Sequence, residues 1–248
     1  MLIDEICEAL LPSAAGRVVA DIRIGLGYTA VQLDDGSCGL AYTFRDEIAE
    51  GCSVLKAAGT LCGRPAQELA RWAHLPDPLA AATGLATLNA LAGRPPGAAD
   101  TGFLTALGCR PEDEAGMVGY FGPLVQPLRS RCRVLHVLDR HPEREAGILA
   151  EQAADEVLPR CDVVILTATT LINRTIDHLL DLCQGAREVA VLGPSTPMLP
   201  GLFRGTGVTL LSGIQVTDAA RILRTVSEGG GTRQFGDAVK KLTVRAGE

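Results

Sequence analysis

Residues 162–168, Asp-Val-Val-Ile-Leu-Thr-Ala, run without a break into Thr169-Thr170-Leu171-Ile172-Asn173. The first part is an apolar, β-branched run too short for a helix, the pattern of a strand buried on both faces. From Leu171 the apolar residues recur at three- and four-residue spacing, which predicts a helix over 171–183. A buried strand feeding straight into a helix is half of a strand-helix-strand unit, and such units build parallel sheets. Working outward, similar runs occupy 117–121, 133–138, 188–192 and 208–211. Helical spacing fills 142–152 and 216–227. Alternating strands and helices of this kind predict a Rossmann-like, doubly wound parallel sheet over residues 97–248.

Upstream the order is different. Residues 2–11 carry an amphipathic helical pattern that Pro12 stops. Strand patterns then fill 18–24, 28–33 and 37–44, and Asp34-Asp35-Gly36 between the last two is a hairpin turn. Helices follow at 66–73 behind Pro65 and at 78–91, the second opened by Asp77-Pro78 and closed by Gly93. Strands followed by helices predict a small α+β domain over residues 1–96, with Arg94-Pro95-Pro96-Gly97 as the linker. A chain of 248 residues suits two such units.

Composition narrows the function. Apolar residues make up 47% of the chain and charged residues 21%, enough for a core. The net charge of -6 offers no basic surface for phosphates, so no nucleic acid partner is expected. No uncharged apolar run approaches the roughly 18 residues of a membrane span. Asp4, Glu5 and Glu8 make a poor signal peptide, so a cytoplasmic protein with no membrane partner is expected. The eight cysteines show no C-x-x-C spacing and are expected as thiols. The open edge of the meander is a surface through which two copies can pair as a homodimer.

In a doubly wound sheet the chemistry sits just beyond the carboxyl ends of the strands. Gly119-Tyr120-Phe121-Gly122-Pro123 is a glycine-containing turn at a helix start, without the full G-x-G-x-x-G pattern. Asp139 stands about twenty residues after Gly119, the place of an acid that meets ribose hydroxyls; its plainer role is to cap a helix near Pro142. Thr167, Thr169, Thr170 and Asn173 gather hydroxyls and an amide, more than one helix cap requires. Gly193-Pro194-Ser195-Thr196-Pro197 and Ser212-Gly213-Ile214 complete the set.

Other candidates read as structural. His136 and His178 fall inside elements, His74 sits near a helix end, and His141 follows Asp139-Arg140 on a loop. Cys38, Cys52 and Cys62 read as small hydrophobes, and Arg45-Asp46-Glu47 as surface or cleft. No hydrolase, zinc-protease or phosphate-loop motif is present.

The loops 119–125, 167–175 and 193–197 resemble the signature loops of the heavy-metal-chelation family, a prokaryotic group, over nearly the whole chain. The resemblance implies an enolase-N-terminal-like domain before a Rossmann-like domain, with a ligand site in the cleft between them. It implies Gly122, Thr170, Asn173, Ser195 and Thr196 as cleft residues and a heavy metal or metal-containing cofactor as ligand. Hydroxyls and amides suit a ligand's oxygen atoms better than a bare heavy metal, so a bound metal would arrive inside a chelate or use Cys or His side chains that the sequence does not place. The alternative is an enzyme using a nucleotide-type cofactor, a dehydrogenase or methyltransferase-like protein, built on Asp139.

Overall fold

The computed structural model describes residues 1–48, 51, 53–99 and 102–246. Helix α1 (Leu2–Leu10) buries Leu2, Ile3, Ile6, Cys7 and Leu10 on one stripe and ends ahead of Pro12, whose ring cannot continue it. Strands β1 (Val19–Ile24), β2 (Tyr28–Leu33) and β3 (Cys38–Tyr42) form an antiparallel sheet in that order. Helix α2 (Ala66–Arg71) leads to α3 (Pro78–Ala92), where the Asp77 carboxylate accepts the Ala80 N–H at 2.7 Å. Helix α3 is buried nearly all round, as expected of a helix enclosed by other elements. Its buried Thr83 and Thr87 hydroxyls donate to carbonyls one turn back, those of Leu79 and Thr83.

Short helix α4 (Phe103–Leu107) opens the second half, followed by β4 (Glu114–Val118), α5 (Gly122–Arg129), β5 (Val134–Asp139) and β6 (Ile148–Ala150). Then come α6 (Ala154–Val157), β7 (Val163–Thr167), α7 (Ile176–Leu182), β8 (Glu188–Leu192) and β9 (Leu210–Val216). Helices α8 (Ala219–Ser227) and α9 (Thr232–Phe235) precede β10 (Val239–Arg245). The seven strands stand in the order β10-β9-β8-β7-β4-β5-β6, all parallel except β10. Without β10 this is the doubly wound order, reversing at β4.

The alternation along β7 explains why its sequence is apolar throughout. Val163 and Ile165 enter a core with Met117, Val137 and Leu128, while Val164 and Leu166 enter another with α1 and α3. The meander is covered twice as well. Val31 and Ala41 face the core shared with α3, and Ala30 and Leu40 face Ile222, Leu223 and Val226 of α8. Among the described residues no helix is long and apolar enough to cross a membrane.

Four local expectations are corrected. The stretch 142–152 is not a helix: Pro142–Arg144 makes one turn, Gly147 takes φ +88°, and β6 pairs with β5. Helical spacing misled there because Ile148-Leu149-Ala150 is an edge strand with little burial to mark it. β4 starts three residues earlier than 117 and ends before Gly119. β9 runs on to Val216, so the next helix begins only at Ala219, capped by the Asp218 carboxylate on the Arg221 N–H at 3.0 Å. The helix expected from Leu171 begins at Ile176, because Arg174 at φ +62° breaks the path.

Candidate functional site

The sheet reverses at β4, and such a reversal leaves a crevice beyond the carboxyl ends of β4, β5 and β7. Gly119 follows β4 at φ +91°, and a Cβ there would lie 2.8 Å from Thr167 Cβ. Glycine therefore lets the loop after β4 lie flat against the end of β7. Gly122 opens α5 and Pro123 follows it with no N–H, so this helix start offers the Gly122 N–H alone among the two.

Asp139 at the end of β5 is buried and already engaged. Its Oδ2 accepts the Tyr120 N–H at 2.8 Å, its Oδ1 accepts the His141 N–H at 2.9 Å, and Arg144 Nη1 lies 3.3 Å from Oδ1. The carboxylate ties the loops after β4 and β5 together, with two partners on Oδ1 and one on Oδ2. Beyond β7, the hydroxyls of Thr167 and Thr169 lie 3.1 Å apart and are only part-buried. The Thr170 hydroxyl is buried and donates to Thr167 O at 2.7 Å. Asn173 Oδ1 accepts from the Thr175 hydroxyl at 2.9 Å and closes its own turn. Thr167 Oγ1 also accepts the Thr169 N–H at 3.4 Å and caps the turn that follows β7.

The segment leaving β3 meets the loop after β5. Arg140 lies 5.2 Å over the Phe44 ring and pairs with Glu47. His141 Nε2 is 3.7 Å from Asp46 Oδ2, and its Nδ1 is 3.2 Å from Glu143 Oε1. The two charged groups of the sequence, Arg45-Asp46-Glu47 and Asp139-Arg140-His141, meet here. Tyr120 adds a hydroxyl that donates to Glu145, and that bond holds its phenol above the ordinary range.

The remaining candidates belong to a separate group. A Cβ at Gly193 would sit 3.9 Å from the Phe121 ring, but Ser195 and Thr196 turn away from it into the core. Ser195 Oγ accepts the Tyr42 N–H at 2.9 Å, and Thr196 Oγ1 donates to Ser212 O at 3.0 Å. Gly213 lets Met198 lie on β9, since a Cβ there would meet Met198 Sδ at 2.7 Å. Pro194 and Thr196 line a pocket between β3, α3 and β9. Asn89 was missed: its Nδ2 donates to Leu40 O at 2.8 Å and Ser195 O at 3.1 Å. A lone amide in the alanine- and leucine-rich run 79–91 was the available signal.

Ser195 therefore fastens the β8 loop to β3. Ser195→Ala leaves the Tyr42 N–H without its acceptor, and we expect a loss of about 1–3 kcal/mol in urea unfolding. An unchanged midpoint would remove Ser195 from that role.

Two family models, both described as "Putative heavy-metal chelation", match residues 7–92 and 103–245. The chain belongs to this family. A family structure from Desulfitobacterium hafniense, a protein of unknown function, superposes with a TM-score of 0.82 at 26% identity, covering 98% of both chains. Another of unknown function, from Pyrococcus horikoshii, has a TM-score of 0.87 at 22% identity over 99% of this chain and 100% of that one, and shares the fold. An uncharacterised protein of Methanocaldococcus jannaschii is 30% identical over 129 residues, 51% of this chain and 50% of that relative's length. The present chain thus spans half of that relative.

In a member of this family the available ligand set decides what form of metal fits. Among the described residues no group of three or more His, Cys, Asp or Glu is arranged to hold a metal ion. His136 is paired with Glu114, His178 with Asp155 and His74 with Asp4. At Glu114 burial works to raise the carboxyl, but hydrogen bonds from His136 and Arg160 outweigh it and hold it low. Burial pushes the Cys38 thiol up to about 12, which keeps it protonated at neutral pH. Cys62 is exposed, and Cys52 lies outside the described residues. These residues do not fit a bare soft metal ion.

Proposed function

We propose that the protein binds a metal complex through its organic shell, in the crevice where the loops after β4, β5 and β7 face the segment leaving β3. The observations that carry this reading are the part-buried hydroxyls of Thr167 and Thr169 after β7 and the charged groups Asp46, Glu47, Arg140 and His141 that meet after β5, while the described residues offer no metal cluster. Hydroxyls and mixed charges hydrogen-bond a chelator's oxygen and nitrogen atoms, and the metal rides inside. In this reading the crevice separates units 1–96 and 97–248, and the metal is cargo. A nucleotide-dependent enzyme is the second reading: the strand order favours it, and the engaged carboxylate of Asp139 weighs against it.

Elemental and small-molecule mass analysis of the same untagged preparation tests the proposal. Metal and an organic chelator should appear together in matching amounts. Thr169→Val should lower both by about fivefold, the worth of one hydrogen bond of about 1 kcal/mol, with the urea midpoint retained. Metal without an organic companion, or an adenine compound without metal, would overturn it.

A further inference from the structure

Among the described residues Arg174 is the only non-glycine with a positive φ, at +62°. That region crowds the Cβ of an L-residue, and glycine would make the same turn without strain. A strained residue persists where its surroundings hold it, and here the side chain shows the hold. The Arg174 guanidinium donates through Nη2 to the carbonyl of His74, 100 residues earlier in the chain. His74 lies in the part matched by one family model and Arg174 in the part matched by the other, so the bond joins the two.

The anchor is firm. His74 closes the turn Trp72–His74 after α2, which packs on α3, and its Nδ1 lies 2.7 Å from Asp4 Oδ1 of α1. Three residues beyond Arg174 a second tie reaches the same region, where Asp177 Oδ1 accepts the Leu2 N–H at 2.9 Å. The loop 168–173 spans the gap between β7 and this seam. Its own hydrogen bonds are local: the Thr170 hydroxyl donates to Thr167 O, the Asn173 N–H to Thr169 O at 3.3 Å and the Thr175 N–H to Thr170 O at 3.0 Å. Such bonds set the shape of the loop, not its place against α1 and α3. Leu171 and Ile172 enter the core beside those helices, but apolar burial is non-directional. Among the described residues the Arg174 bond is the one hydrogen bond from 168–175 to residues 1–96, and a hydrogen bond has direction.

We infer that Arg174 is a positioning residue: its tie to the His74 carbonyl sets where the loop carrying Thr169, with Thr167 at its root, stands at the crevice. The left-handed backbone is the conformation from which the side chain makes that reach. For its effect on ligand the inference rests on the chelate reading; the hold on the loop does not.

The test is hydrogen exchange read by mass spectrometry on the full chain, comparing wild type with Arg174→Gly and Arg174→Lys. Glycine keeps the left-handed turn and removes the tie. In Arg174→Gly the amides of 168–175 should exchange at least about tenfold faster, with β7 amides and the urea midpoint as in wild type. Arg174→Lys keeps a donor of similar reach and should recover most of the protection. Untagged Arg174→Gly should also carry about fivefold less metal and chelator together, as expected for Thr169→Val. Wild-type exchange in Arg174→Gly, faster exchange spread equally through β7, no recovery in Arg174→Lys, or faster loop exchange with undiminished metal and chelator would overturn the inference. Wild-type protein carrying no metal complex would overturn the chelate reading alone, and the exchange comparison would still decide whether Arg174 holds the loop.

Discussion

Gly39→Ala is expected to lower the urea midpoint sharply. A Cβ at Gly39 would lie 2.1 Å from Ala86 O, 2.3 Å from Ala90 N and 2.7 Å from Asn89 C, all of them backbone atoms of α3. Neither β3 nor α3 can yield locally: β3 is held by β2 and α3 is buried nearly all round. Overpacking a core usually costs about 1–3 kcal/mol, and a clash of backbone with backbone belongs at or above the top of that range. Against a typical total of about 5–15 kcal/mol the fraction lost is large. Gly147→Ala is the control, since Gly147 has φ +88° but nothing within 4 Å of the added methyl. It should cost only the left-handed penalty of about 1–2 kcal/mol. Equal midpoint shifts at unchanged m would show that close packing of β3 on α3 is not what the glycine serves. The same packing sets Tyr42 and Asn89 against Ser195.

Elements buried on both sides were legible in the sequence. β7 feeds two cores, so its run is apolar throughout, and α3 is framed by Asp77-Pro78 and Gly93. Edge elements were not. β6 has three residues with Leu149 exposed, and β10, at the sheet edge, exposes the adjacent Lys240 and Lys241, which point to opposite faces. Neither offers the burial that makes a pattern. The site divides the same way. Gly119, Asp139 and Thr167 come together because topology places strand ends side by side, which the strand pattern foretold. Ser195 was grouped with them by chemistry, yet its partner Tyr42 lies 153 residues away. No local feature of the sequence reports such a bond.

The second large effect is alkaline. Burial pushes the thiols of Cys161 and Cys183 from the ordinary 9.0 up to about 12 each, and both are nearly inaccessible in the fold. A raised value means that the fold favours the neutral form. The stability this reflects is complete below about pH 9 and is lost as pH rises toward 12, because the unfolded chain then releases protons that the fold retains. Each thiol contributes a fall of up to about 1.4 kcal/mol per pH unit in that window. Urea midpoints at pH 8, 9.5 and 11 should therefore drop steeply for the wild type and less steeply for the Cys161→Ala/Cys183→Ala double variant. Comparing slopes isolates these two groups, since Cys7 and Cys109, raised to about 11, titrate in both proteins. Parallel slopes would mean that thiolate is tolerated inside the fold.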